Sequence, residues 1–156
     1  MVAMQIRPYA PAESRSIMWI SYGSGPFTAA TPFYANVDNT PAYLRDTTPE
    51  VSTSNLYWTN RLIAALADAH WYETNNAIEG FAENARVFGH RLVERTDAAL
   101  AGEAPSDAAT VRRRLEAANT EMAEYLRKHA TTLLNDVLYT SSNLMHNSFA
   151  MSDRWN

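Results

Sequence analysis

The clearest periodicity in the chain lies in its last third, where apolar residues recur at steps of four and three. This spacing places one side chain per turn on a single face, so it predicts an amphipathic helix of about 30 residues with Ser106 as its N-cap. A face of this length needs a partner helix to cover it. Its positions are Val111, Leu115, Ala118, Met122, Tyr125, His129, Leu133 and Val137.

The same kind of spacing predicts two further helices upstream. One follows a run of hydroxyl side chains at residues 52–54, each of which is a suitable N-cap. The other covers roughly residues 76–101 and ends at Gly102. Their apolar faces carry Leu56, Ile63, Leu66 and His70 in the first and Ile78, Phe81, Ala85, Phe88 and Leu92 in the second.

The first 50 residues differ in character, because they contain six of the seven prolines. Proline lacks a backbone N–H and disrupts helices, so this part is predicted to form strands and loops. Residues 2–7 and 17–22 are predicted as two short strands, and residues 27–43 as an aromatic loop that packs against the protein. The fold class is therefore α+β, in which residues 1–50 form terminal strands and a loop and residues 51–156 form about three helices that pack on them.

The two predicted strands pose a physical difficulty. An isolated two-stranded hairpin is only marginally stable in water. Helices can cover one of its faces, but both strand edges would still present unpaired backbone groups. The pattern is that of the last strands of a larger sheet, so we expect the chain to be a fragment. Produced alone, it is expected to form homo-oligomers that cover these edges and its apolar faces.

Composition narrows the possible functions. The 156 residues carry a net charge of −4 without a long basic run, which disfavours a nucleic-acid partner. No apolar run is long enough for a membrane span, and the N-terminal residues lack the blocks of a secretory signal, so a cytoplasmic location is expected. Because the chain has no cysteine, it cannot supply a disulfide, a thiolate metal ligand or a cysteine nucleophile.

No familiar active-site motif is present. His70 and Glu73 have the i, i+3 spacing of carboxylate-bridged metal sites, but no second pair follows, so a half-buried helix histidine is the favoured interpretation. Gly23-Ser24-Gly25 lacks the third glycine of a phosphate-binding loop and the spacing of a serine nucleophile. We therefore predict neither a metal site nor a cofactor, and no catalytic residue within this chain.

Arg7 is the charged residue that stands out, since it ends an apolar strand immediately before Pro8. A strand-end guanidinium can clamp a carboxylate or another anion through its bidentate fork. The alternative, favoured on ordinary exposure, is a surface arginine that flanks a turn. Both interpretations stay open at this point.

Four sequence runs follow one another along the chain. They are Gln5-Ile6-Arg7-Pro8, Ile17-Met18-Trp19-Ile20-Ser21-Tyr22-Gly23-Ser24, Thr31-Pro32-Phe33-Tyr34 and Tyr57-Trp58-Thr59-Asn60-Arg61-Leu62. In this order they resemble the C-terminal part of the dipeptidase A family, clearly over residues 3–100 and more weakly beyond. No single run is diagnostic, and the resemblance rests on their order.

The resemblance implies the four-layer α-β-β-α fold of N-terminal-nucleophile hydrolases and hydrolysis of dipeptides with broad specificity. In that family a cysteine, exposed as the first residue by processing, attacks the peptide carbonyl, and its own α-amine is the base. This chain lacks the cysteine, so the resemblance implies a C-terminal portion that is inactive alone. It also implies that Gln5, Arg7, Tyr22, Ser24 and Tyr34 line the pocket and position a dipeptide substrate.

A second hypothesis is a stand-alone helical module that binds a protein partner or self-associates through its long amphipathic helix. Both hypotheses account for the helices. Only the first explains why strands and an aromatic loop occur without a complete sheet to join.

Overall fold

The computed structural model describes residues 1–102 and 107–145, which form a three-stranded antiparallel sheet packed on a layer of helices. The α+β class is confirmed. Short 3-10 turns occupy Gly25–Phe27 and Asp68–His70. The main elements are β1 (Val2–Ile6), β2 (Ser16–Ile20), β3 (Thr31–Tyr34), α1 (Ala42–Arg45), α2 (Leu56–Ala67), α3 (Trp71–Gly102) and α4 (Ala108–Asn143).

The long helices α3 and α4 pack as an antiparallel pair. Phe88 stacks on Tyr125 and Arg95 pairs with Glu121, so the contacts advance along α3 as they retreat along α4. The apolar faces predicted from the spacing are the faces that this pair buries. Their buried members include Ile78, Phe81, Ala85 and Leu92 of α3 and Leu115, Ala118, Met122, Leu133 and Val137 of α4.

The helix boundaries differ from the predicted ones at three points. α2 ends before His70, which lies in the following 3-10 turn. α3 begins at Trp71 rather than near residue 76. The N-cap of α4 is Asp107, whose side chain accepts a backbone hydrogen bond from the first turn, while Ser106 lies outside the described residues.

A third strand, β3, occupies part of the segment that was predicted to be a loop, and α1 occupies another part. The loop prediction is wrong here, because proline is compatible with a strand where its missing N–H faces the edge of a sheet. The N–H of Ala35 donates to the carbonyl of Ser16 in β2, so odd-numbered residues bond to β2. The backbone groups of the even-numbered residues of β3 therefore point away from β2. Pro32 therefore lies where β2 needs no donor.

The sheet packs on α3 at Gly89, where β3 comes too close for a side chain. A Cβ atom at Gly89 would lie 2.4 Å from Cδ of Pro32. Beside this contact, the ring of Trp19 lies 5.0 Å from the ring of His90. Trp19 and Pro32 are register partners in β2 and β3, so theirs is the face of the sheet that the helices cover.

The outer edge of β3 is closed by a side chain of α4. Asn119 is 3% exposed, its Oδ1 accepts from the N–H of Tyr34 at 2.8 Å, and its Nδ2 donates to the carbonyl of Tyr34 at 3.0 Å. The amide thus makes the pair of bonds that a neighbouring strand would make. The expectation that both sheet edges lack partners is wrong for this edge.

The edge formed by β1 has no partner strand among the described residues. Met1 and Ser21 exchange two backbone hydrogen bonds, and the N–H of Arg7 donates to Arg15, so the odd-numbered residues of β1 bond to β2. The backbone groups of the even-numbered residues then point outward. Their side chains lie on the other face of the sheet, and we call its β1 part the open face, because Phe33 on the same face of β3 is buried. Those exposed on it are Val2 (62%), Met4 (59%) and Ile6 (67%).

Replacing Gly89 tests the close approach of the sheet to α3. Gly89→Ala is expected to destabilise the protein by about 1–3 kcal/mol, because the added methyl group forces Pro32 away from the helix. Gly80→Ala in the same helix is the matched control, since a Cβ atom there meets nothing within 4 Å. Helix propensity alone predicts that the control stabilises by up to about 1 kcal/mol. Urea unfolding measures both, and equal effects would contradict the packing argument.

Candidate functional site

Arg7 is buried at the end of β1, where its guanidinium binds Asp97 of α3. The Arg7 side chain is 5% exposed, and Nη1 and Nη2 donate to the two carboxylate oxygens of Asp97. Nη2 also donates to the carbonyl of Ser14, in the loop between β1 and β2. The interpretation as a surface arginine is therefore wrong. The strand-end clamp is formed, and the carboxylate that it holds is the protein's own.

Tyr34 of β3 completes this group, which we call the Arg7 cluster (Arg7, Asp97 and Tyr34). The Tyr34 hydroxyl donates to Oδ1 of Asp97 at 2.9 Å, and Cζ of Arg7 lies 5.9 Å from the centre of the Tyr34 ring. Burial raises the pKa of Tyr34 well above its usual value, and the hydrogen bond and charge of Asp97 raise it further. The phenol is therefore protonated at neutral pH and serves as a donor.

Arg7 keeps its charge in this buried position. Desolvation alone would lower the pKa of Arg7, but the hydrogen bond and charge of Asp97 outweigh it and raise the pKa above its usual value. The Nε atom of Arg7 is buried and has no hydrogen-bond partner among the described residues. Without Asp97, the guanidinium would be a buried cation lacking its counter-charge.

Tyr22 and Ser24 lie beyond the other end of β2, in a turn held against α2. Gly23 has a φ of 83°, in the region that favours glycine, and a Cβ atom there would lie 3.2 Å from Cβ of Asn60. Asn60 is 1% exposed, and its Nδ2 donates to the carbonyl of Tyr22 at 2.9 Å and to Oγ1 of Thr28 at 2.8 Å. One buried side chain thus fixes the conformation of this turn.

Ser24 borders a cleft of about 280 Å³, which we call the α2 cleft. The ring of Phe27 forms one wall, and its edge-on contact with Trp71, at 5.5 Å between ring centres, holds that wall in place. The remainder comes from one side of α2 and the residue that follows it. The full lining is Ser24, Phe27, Arg61, Ala64, Ala65 and Asp68.

The residues predicted to line a pocket therefore fall into two groups. Arg7 and Tyr34 lie together, with Gln5 on β1 nearby, where its Oε1 accepts a hydrogen bond from the indole of β2. Tyr22 and Ser24 lie at the opposite end of the sheet. The five residues of β2 separate the groups, a distance of about 17 Å. Since an extended dipeptide spans about 7 Å, it can contact one group directly but not both.

Asp97 is a member of the first group that sequence reasoning missed. It lies in a long helix, 90 positions from Arg7, and no local motif marks it. The available signal was Arg7 itself, because a buried strand-end arginine requires a carboxylate somewhere in the fold.

Within residues 1–102 and 107–145, no group of three or more His, Cys, Asp or Glu residues could hold a metal ion. The histidines of the helical layer pack on aromatic rings instead: His90 on Trp19 and His129 on Tyr125. Over the same residues, no helix has the length and apolar character needed to cross a bilayer.

Comparison with known proteins gives matches along nearly the whole chain. Peptidase family C69 matches residues 1–84. A protein named Dipeptidase from Bifidobacterium longum (strain NCC 2705) is 42% identical over 98% of this chain. Probable dipeptidase A from Streptococcus pyogenes serotype M18 and Dipeptidase A from Lactobacillus helveticus are 41% and 28% identical, each over 96% of it. The chain spans about a third of these relatives, or 35%, 30% and 31% of their respective lengths.

Removing the charge of Asp97 tests the Arg7 cluster. Asp97→Asn is expected to destabilise the protein by about 3 kcal/mol, because it leaves Arg7 buried without a counter-charge. Glu121→Gln is the control, since it breaks an ion pair with Arg95 whose side chains are 47% and 63% exposed. Such an exposed pair contributes less than about 1 kcal/mol. Urea unfolding at neutral pH compares the two variants, and an Asp97 effect no larger than that of Glu121 would refute the clamp.

Proposed function

The chain belongs to peptidase family C69, and on this basis we propose that it forms the C-terminal part of a dipeptidase. The proposed enzyme hydrolyses dipeptides with broad specificity and has the four-layer fold of N-terminal-nucleophile hydrolases. Its nucleophile is a cysteine at the N-terminus of the processed polypeptide. Since this chain contains no cysteine, that residue comes from a preceding part of the protein, and the chain alone is inactive.

The proposed reaction is acyl transfer to sulfur followed by hydrolysis. The cysteine sulfur attacks the carbonyl carbon of the peptide bond, and the α-amine of the same residue takes the thiol proton. The C–N bond then breaks, and the proton passes to the departing amine. Water hydrolyses the acyl-enzyme and regenerates the thiol. This reaction requires neither a metal ion nor a cofactor.

The observation that carries this proposal is the 42% identity to a protein named Dipeptidase over 98% of the chain. Similarity that extends over strands, loops and helices alike supports a shared fold. A match confined to a short motif would support only a local structure.

The open face and the unpaired edge of β1 support the proposed four-layer arrangement. In that arrangement one side of a sheet packs on helices and the other packs on a second sheet. Here the helices cover one side, while Val2, Met4 and Ile6 leave large apolar side chains exposed on the other. Burying each of these would contribute roughly 1.5–3 kcal/mol. We assign the open face to contact with a second sheet and the edge of β1 to pairing with a further strand.

The separation of the candidate site residues suggests different roles for the two groups. We assign direct substrate contact to Ser24, which borders the α2 cleft, and to Tyr22 in the same turn. Gln5, Arg7 and Tyr34 are assigned as positioning residues, because the guanidinium and the phenol are already bound within the protein. In this division, residues 1–50 supply strands and part of the pocket lining, and residues 51–156 supply the outer helical layer and the α2 wall of the cleft.

The proposal is tested first on the native protein in its source cells, through its intact mass and N-terminal residue. The expected result is a polypeptide about three times as long as this chain, with cysteine as the first residue of the mature form. The purified protein should hydrolyse free dipeptides, and replacing the N-terminal cysteine with alanine should abolish hydrolysis. A native chain of 17.5 kDa would contradict the proposal and favour the stand-alone helical module.

Amide hydrogen exchange tests the role assigned to the edge of β1. In the full-length product, the N–H groups of Val2, Met4 and Ile6 should exchange as slowly as those of Ala3 and Gln5, because a neighbouring strand would bind them. The odd-numbered groups are the internal control, since they bond to β2 within this chain. Fast exchange at the even-numbered positions alone would mean that the edge stays open.

A further inference from the structure

One side of α2 carries opposite charges at its ends and small side chains between them. Arg61, Ala64, Ala65 and Asp68 follow at steps of three, one and three, which places all four on the same side of a helix. Asp68 immediately follows α2 and keeps helical backbone angles, so the pattern continues to its end. The two alanines leave space above the helix, and the α2 cleft occupies that space.

Both charged side chains lack a partner within the described part of the chain. Arg61 and Asp68 are exposed, and neither forms an ion pair or a side-chain hydrogen bond there. Five other arginines on the helices are paired with nearby carboxylates, whereas Arg91 of α3 has no such partner among the described residues. The five are Arg45, Arg86, Arg95, Arg112 and Arg127. The guanidinium of Arg61 and the carboxylate of Asp68 are therefore available to a ligand.

The spacing of these charges suits a short zwitterion. Seven residues of helix separate the Cα atoms of Arg61 and Asp68 by about 10 Å. The two ends of an extended dipeptide lie about 7 Å apart, so the longer span leaves room for the charged heads at either end. A guanidinium binds a carboxylate through two parallel hydrogen bonds, and a carboxylate accepts from an ammonium group. A dipeptide can therefore pair both of its charged ends in one orientation only, with its carboxylate at Arg61 and its ammonium group at Asp68.

The other walls of the cleft complete a site for a peptide. The side chain of Ser24 makes no capping hydrogen bond to its own turn, so its hydroxyl is free to meet a peptide N–H or C=O group. Phe27 supplies an apolar wall whose position is fixed by Trp71. Such a wall accepts apolar side chains of different sizes, which agrees with broad specificity.

We propose that the α2 cleft holds the charged ends of a dipeptide, with Arg61 binding the α-carboxylate and Asp68 binding the α-ammonium group. The proposal rests on the proposed function for the class of ligand. It adds the two residues that distinguish a dipeptide from a longer peptide, since an internal segment of a longer chain carries neither charge.

The experiment uses the full-length gene product and three ligands: alanyl-alanine, its C-terminal amide and its N-acetyl derivative. Steady-state kinetics give kcat and KM for alanyl-alanine, and competition gives Ki for the two blocked forms. Titration calorimetry gives Kd for alanyl-alanine independently of turnover, because it uses protein whose N-terminal cysteine is replaced by alanine wherever the ligand would otherwise be hydrolysed. The variants are Arg61→Met and Asp68→Asn. The matched controls are Arg91→Met and Glu79→Gln, at exposed positions of α3 away from the cleft.

Each variant should weaken binding only of ligands that carry the charge it recognises. Arg61→Met is expected to raise KM and Kd for alanyl-alanine about tenfold, with little change in kcat and no change in Ki of the amide. Asp68→Asn should raise KM and Kd similarly and leave Ki of the N-acetyl form unchanged. The α3 controls should behave as the wild type.

The outcomes separate this proposal from the proposed function. If the wild type hydrolyses dipeptides and both variants match it, the assignment of the cleft is overturned and the dipeptidase function stands. An equal loss of affinity for free and blocked ligands would also overturn it, since charge recognition would then play no part. If the wild type binds alanyl-alanine without hydrolysing it and Arg61→Met weakens that binding, the cleft assignment stands and the enzymatic function falls. A wild type that neither binds nor hydrolyses dipeptides refutes both.

Discussion

Backbone hydrogen bonding at the two edges of the sheet governs how the rest of the described chain is arranged. A buried N–H or C=O group without a partner costs about 1–3 kcal/mol, so the backbone groups at a buried sheet edge need hydrogen-bond partners. At β3 the demand is met from outside the sheet, by the amide of Asn119, and Pro32 removes one donor from the same edge. This solution requires α4 to lie directly beside β3. Separately, Pro32 lies so close to α3 that position 89 must be glycine.

The Arg7 cluster lies at the same end of the sheet as the Asn119 contact, because Tyr34 belongs to both, and it ties β1 to α3 as well. Its ion pair links the end of β1 to α3, and the hydroxyl of Tyr34 links β3 to the same carboxylate. Because desolvation offsets much of the attraction in a buried ion pair, the cluster contributes mainly to a unique geometry rather than to a large net stability. These contacts fix one end of the sheet on the helices, and Asn60 of α2 holds the turn that carries Ser24 at the other end.

Sequence periodicity identified the three long helices because each buries one regular face, and the apolar residues of α3 and α4 record that face directly. It failed at β3. A strand is possible there because Asn119, distant in sequence, bonds to its edge and because the backbone nitrogen of Pro32 faces that edge and not β2. It also missed Asp97, since a carboxylate that neutralises an arginine can come from any helix that reaches it. The spacing of Arg61, Ala64, Ala65 and Asp68 along the sequence is sufficient to place them on one side of α2. Its meaning depended on the turn of Ser24 and Phe27, which tertiary structure brings beside it.

The paired bonds of Asn119 also limit how the molecule can move. Helices commonly slide past their neighbours in small shear steps, because apolar side chains repack at little cost. Here a shift of α4 along its axis by even half a turn, about 2.7 Å, would separate both atoms of the amide from Tyr34. Strand and helix therefore translate as one body. Any opening that admits or releases a ligand must come from parts of the protein that are not tied by this amide.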